Sequence, residues 1–446
     1  MNAAIQHAVA QLQSYGDADE FWHVISVYRT PAKHALAVWP DLPRKLLKKL
    51  RDGALTTSTA NALQLLRLML ETNNELDFGA GAGAGAGAAA TVVLGVLTSG
   101  SFDAVLQSQG LLLLGELLGV YPEALEEAVL PGAAYEALHA LETHVEDEKV
   151  VQAALKLLTA IANNARADES SSVVTQSLME VVRNLHEYIY PAMAASTFQS
   201  TLQAGANLFN ALAKKAPSSV WAAADGKAMA GFVLNALKTK TDANAPAVIA
   251  CIQALISIYT RSAGDEVRGL RAVIDLLHEN MHALRPVVLL RSMELFEWLL
   301  RNAVHDRKLL EFTLAVMRKY GRDGEERHVQ GDHVIIAPTV ACAIVMQGMH
   351  ILWALDSHRV HMNADEYAGL MRVLQLRAPL ALLRLREAGN RIVVDFYNGA
   401  ATAWSSHSAR AAGGGTSRRS RTRSRSRSRS RPRPRPRPRP RRHRRR

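Results

Sequence analysis

VVQAALKLLTAIANNA, residues 150–165, decides how the rest of the chain is read. Its apolar residues fall at Val151, Ala154, Leu155, Leu158, Ile161, Ala162 and Ala165. That is the three-and-four spacing of one face of an α-helix. Gln152, Lys156, Thr159 and Asn163 follow the same period on a second, polar stripe. Ala, Leu and Lys are strong helix formers, and no proline or β-branched run interrupts them.

Similar stretches recur at Thr56–Asn73, Leu111–Tyr121, Ala204–Lys215, Ala247–Tyr259, Val287–Val304 and Thr339–Leu355. Their apolar centres, with Leu158, are Leu66, Leu113, Phe209, Leu255, Phe296 and Leu352. In chain order the steps between centres are 47, 45, 51, 46, 41 and 56 residues. The middle steps cluster near the ~40–47 residues of two- or three-helix repeats. Pro217, Pro246, Pro286 and Pro338 stand near helix starts, where a missing N–H costs little. An all-α array of stacked helices is expected over residues 56–398, preceded by an N-terminal helical cap over 1–55.

Composition agrees. Hydrophobic residues make up 48% of the 446 but aromatics only 6%, which favours Ala- and Leu-mediated helix packing over sheets. The two cysteines, Cys251 and Cys342, lie in apolar helical runs and read as buried, inert thiols of a reducing compartment. The net charge of +12 belongs to the end of the chain. Residues 418–446 hold 17 Arg and no acid, and the remaining 36 Lys and Arg against 41 acids leave −5. A mildly acidic body therefore carries an intensely basic tail.

Three segments break the helical pattern. GAGAGAGAGAAA (79–90) alternates too strictly for a dinucleotide loop and has no P-loop lysine, so a low-complexity loop is expected. GRDGEERHVQG (321–331) reads as a charged surface loop, whose His328, with Asp332 and His333 just beyond it, is too loosely spaced for a metal. Residues 399–446, which pass through Gly413–Gly415 into Arg-Ser and Arg-Pro dipeptides without apolar residues, are expected to be disordered. Val334–Leu355 is about long enough to span a bilayer, but Pro338, Gln347, Gly348 and His350 interrupt it, and a buried array helix is the better reading. The first 21 residues lack a basic-then-apolar leader, so a cytoplasmic or nuclear protein is expected rather than a secreted one.

ALKLLTAIANNA (154–165) and EWLLRNAV (297–304) resemble the last helix of an armadillo repeat. The chain is similar, over roughly Thr56–Leu383, to armadillo or HEAT-type helical repeat proteins. The resemblance implies a right-handed α-solenoid whose concave face binds a partner segment. Armadillo proteins that hold extended peptides carry Trp and Asn four residues apart, and here Trp298 and Asn302 stand so. An Asn amide offers a peptide backbone both donor and acceptor, and Trp offers a flat wall. The pair is not repeated in full: the other helices offer Thr159 with Asn163, Ala206 with Asn210, Ile256 with Thr260 and Trp353 with Ser357. Candidate partner contacts are Lys156, Asn163, Asn210, Trp298, Asn302 and Trp353.

No nucleophile–base set, metal set or phosphate loop stands out, so a non-enzymatic scaffold without cofactor or metal is expected. The alternative is an RNA-associated nuclear factor. It would bind phosphate without sequence specificity through Arg418, Arg419, Arg421, Arg423, Arg425, Arg427, Arg429 and Arg431 of the tail. The acidic group Glu142, Glu146, Asp147 and Glu148 reads as a solvated turn, or as a receiver of basic peptide.

Overall fold

The computed structural model describes residues between Leu42 and Arg372, excepting short segments such as 53–56, 123–128, 166–172, 240–244 and 301–306. The chain divides into two units, Met1–Val394 and Asp395–Arg446, and every described residue belongs to the first. The expected disordered tail, nearly all of the N-terminal cap and the end of the expected array from residue 373 therefore lie outside the described residues.

Among the described residues the fold is all-α, with one antiparallel hairpin. The helices are α1 (Leu42–Asp52), α2 (Thr57–Thr72), α3 (Ala82–Ser99), α4 (Ala104–Val120), α5 (Leu130–Thr143), α6 (Glu148–Asn163), α7 (Val173–Arg183), α8 (Tyr190–Ala195), α9 (Gln199–Lys215), α10 (Ser218–Ala223), α11 (Gly226–Thr239), α12 (Ala245–Ala263), α13 (Glu266–Glu279), α14 (Pro286–Leu300), α15 (Arg307–Tyr320) and α16 (Val340–Ser357). A π-turn, Leu185–Ile189, leads into α8.

Contacts sort the helices into two layers. In one row α2, α4, α6, α9, α12, α14 and α16 each pack on the next. In the other layer α1, α3, α5, α7 and α10 follow one another, and further on α13 packs on α15. Adjacent pairs such as α3–α4, α5–α6, α11–α12 and α15–α16 join the layers.

The seven apolar centres fall one on each helix of the first row. Leu66, Leu158, Phe209, Leu255 and Phe296 are 0% exposed, and Leu113 and Leu352 are 1% exposed. Burying such a side chain contributes about 1.5–3 kcal/mol, which fixes the helix face turned inward. The two long steps have visible causes. The 51-residue step holds the π-turn and α8, whose Tyr190 stacks on Phe232 at 4.9 Å and meets Phe209 edge-on at 5.8 Å. The 56-residue step holds β1 (Glu325–Gln330) and β2 (His333–Pro338).

Local chemistry sets the helix ends. Asp103, Asp147 and Asp265 cap α4, α6 and α13, each accepting backbone N–H bonds from the first turn. Asn363 and Glu366 form a reciprocal capping box, with both bonds at 2.8 Å.

Two expectations are corrected. Gly79–Ala90 is not a loop throughout: Ala82–Ser99 is helical, and Ala86, Ala89 and Ala90 are at most 1% exposed. Helix α3 packs on α1, α4 and α5, and that packing offsets the helix cost of glycine. The loop expected at 321–331 contributes β1, whose Arg327 pairs with Ile336 and Val329 with Val334. That hairpin takes residues 334–338 out of the apolar run, which so divides between strand and helix instead of forming one span. Among the described residues Pro246–Ala263 is the one helical window long and apolar enough to cross a membrane, and half of it is buried in helix packing.

Candidate functional site

Helix α6 has α4 and α9 on its flanks and α5 and α7 behind it. Among the described residues no further helix packs closely on its fourth side. Lys156 and Asn163 are exposed there, seven residues and two turns apart, with Gln152 and Thr159 half-buried between and before them. The Thr159 hydroxyl donates to the Leu155 carbonyl at 2.7 Å, so its hydrogen is engaged within the helix.

The phase of Lys156 repeats. It stands two residues before its helix's apolar centre. The same position is Gln64 on α2, Asn207 on α9, Gln253 on α12, Glu294 on α14 and His350 on α16. Lys156 and Gln253 are exposed, and Gln64, Asn207, Glu294 and His350 are half-buried. The exception is α4, where Leu111 takes the position and is fully buried. Six of the seven row helices therefore offer a polar side chain at one phase, three of them carboxamides. Asn207, Gln253, Glu294 and His350 were not singled out from sequence, although counting back two residues from each apolar centre finds them.

Other polar groups of the row are committed to structure. Asn210 is half-buried, and its Oδ1 accepts from the Ser257 hydroxyl at 2.7 Å, tying α9 to α12. Arg261 Nη2 donates to the Ala216 carbonyl at 2.8 Å across the same joint. Asn164 reaches back from the end of α6 to the Leu118 carbonyl, and Gln347 of α16 donates to Glu297 of α14. These links join residues 45–50 apart, the same interval as the apolar centres. Glu294 is held by Arg291 of its own helix at 2.6 Å.

Trp298 lies in α14 and Trp353 in α16, one turn beyond Glu294 and His350. Their side chains lie outside the described residues, as do Asn302 and the tail arginines Arg418–Arg431. The acidic group is partly occupied: Asp147 caps α6, Glu148 accepts from Ser200 at 2.6 Å, and Glu142 faces His139 at 3.7 Å.

Burial raises the thiol pKa of Cys251 to about 12, which keeps it protonated and unreactive. Among the described residues no three metal-ligating side chains gather.

The chain matches no protein-family model and no curated protein. Among solved structures it is similar to the crystal structure of an engineered protein at 14% identity and a TM-score of 0.43, covering 88% of this chain and 86% of that one. That likeness is too loose to bear on fold or function.

Proposed function

We propose that the chain is a non-enzymatic interaction scaffold, a right-handed α-solenoid of armadillo or HEAT type whose uncovered row holds a segment of a partner protein. The observation that carries this reading is the repeated polar position running from Gln64 through Lys156, Asn207, Gln253 and Glu294 to His350. Carboxamides suit a polypeptide backbone, since each can donate and accept at once. Lys156 adds an exposed positive charge to the stripe, while the Glu294 carboxylate is shared with Arg291. Asn163 extends the stripe on α6. In this reading Trp298, Asn302 and Trp353 extend it at the C-terminal end, while Asn210 acts through its bond to Ser257 by holding α9 against α12.

A second reading rests on the 17 arginines of residues 418–446. They would give salt-sensitive, sequence-independent RNA binding, with the helical body as a protein-docking platform. Serine phosphorylation in the Arg-Ser run would weaken that binding by adding negative charge.

Affinity capture with three proteins tests both: the full chain, a K156E/N207A/Q253A variant, and a chain lacking residues 416–446. The scaffold reading expects a protein partner that survives nuclease treatment and tail deletion and is lost from the triple variant. A partner lost on tail deletion and retained by the triple variant would refute it.

A further inference from the structure

The described surface carries few large exposed apolar side chains, and three of them stand on one rim. Phe102 is 88% exposed, Val105 62% and Phe198 57%. They flank the N-terminal ends of α4 and α9, on either side of the start of α6. Hydrogen bonds hold the intervening turns side by side. His144 Nε2 lies 2.7 Å from the Ser101 carbonyl, and Ser200 Oγ donates to Glu148 at 2.6 Å.

The aromatic rings are displayed on ordered turns. The Asp103 N–H donates to the Gly100 carbonyl at 3.0 Å, closing the turn that carries Phe102. The Asp103 carboxylate then caps α4. The Phe198 N–H donates to Ser196 Oγ at 3.2 Å. An aromatic ring held in water by a fixed turn contributes little to folding, and removing it from water on binding is favourable.

Charge selects the occupant. The turns at the starts of α4 and α6, with the last turn of α5, carry five carboxylates, Asp103, Glu142, Glu146, Asp147 and Glu148, against the ammonium of Lys149 among the described residues of those turns. Nucleic acid and anionic lipid are repelled by such a rim. A second copy of the same rim would set carboxylate against carboxylate. A cationic polypeptide is attracted.

Spacing sets its form. Packed helices lie about 8–10 Å apart, so rings two row positions apart are separated by about 20 Å. An extended chain covers that distance in about six residues.

We infer that this rim docks an extended cationic segment of a partner protein. Two aliphatic side chains about six residues apart seat against Phe102 and Phe198, and arginines or lysines between them face Glu142 and Glu146. This surface is separate from the polar row of the proposed scaffold site and does not depend on it.

The test uses the full chain and a labelled peptide, Leu-Ser-Arg-Ser-Arg-Ser-Leu, whose leucines and arginines share one face when extended, followed by fluorescence anisotropy. Binding is expected to weaken about tenfold in F102S and in F198S, the loss of part of one apolar contact. It should weaken comparably in E142Q/E146Q, and vanish when the peptide's arginines are exchanged for glutamates. Both rings are mostly in water, so the F102S and F198S proteins should melt with the unaltered chain, and circular dichroism checks this. Unchanged affinity in both Phe variants would overturn the inference, as would equal binding of a peptide whose leucines are serines. Sedimentation showing self-association that F102S abolishes would assign the rim to a second copy, and would likewise overturn it.

Discussion

Two glycine-to-alanine exchanges, chemically identical, should move stability in opposite directions. Gly269 lies in the first turns of α13, packed on α12. A Cβ added there would sit 2.5 Å from both the Cα and the amide nitrogen of Thr260. Carbon atoms in contact prefer about 3.5–4.0 Å, so the two backbones must part by roughly 1–1.5 Å. Backbone cannot rotate aside as a flexible side chain can, and overpacking of this kind costs about 1–3 kcal/mol. The gain from removing a helical glycine, up to about 1 kcal/mol, offsets only part of it. Gly231 is the contrast: it is exposed on α11 and an added Cβ meets nothing within 4 Å, so there the helix gain stands alone. Gly269→Ala should therefore destabilise by about 1–2 kcal/mol, and Gly231→Ala should stabilise by up to about 1 kcal/mol. A long helical array need not unfold in one step, so the measurement must be local. Native-state hydrogen exchange of α12 and α13 amides serves, and a loss of about 2 kcal/mol accelerates it roughly 30-fold. Unchanged or slower exchange in Gly269→Ala would show that the α12–α13 approach is not as tight as described.

Three further outcomes are expected. Asp147→Ala removes the cap of α6, whose carboxylate accepts from the Lys149 and Val150 N–H groups, and should cost about 1 kcal/mol, read as a lower urea midpoint. Asn210 and Ser257 should show coupling of about 1 kcal/mol in a double-mutant cycle, and additive single variants would mean that their hydrogen bond does not hold α9 to α12. The Cys251 thiol, raised by burial from 9.0 to about 12, ionises in the unfolded chain before it does so in the folded one. Its contribution is intact below pH 9, and stability then falls toward pH 12 by up to about 1.4 kcal/mol per unit. Cys251→Ala should flatten that alkaline limb, and prompt alkylation of Cys251 in the native protein at pH 8 would contradict its burial.

The row helices, their order and the inward face of each are legible in the sequence alone. The reason is local: a 3.6-residue apolar period commits one side of a helix to burial wherever its neighbours come from. Leu66, Leu113, Leu158, Phe209, Leu255, Phe296 and Leu352 were legible for that reason, and each is buried on its own row helix. The polar phase two residues before them was equally legible, though only Lys156 was picked out.

What depended on distant contacts could not be read this way. The Gly-Ala tract has no amphipathic period, yet Ala82–Ser99 is helical and buries Ala86, Ala89 and Ala90 in packing that no local pattern announces. The strand at Glu325–Gln330 exists through its pairing with His333–Pro338. Asn163 and Asn210 look alike as letters. Tertiary packing leaves the first in solvent and engages the second with Ser257, because whether a polar side chain is available for a partner depends on what stands opposite it.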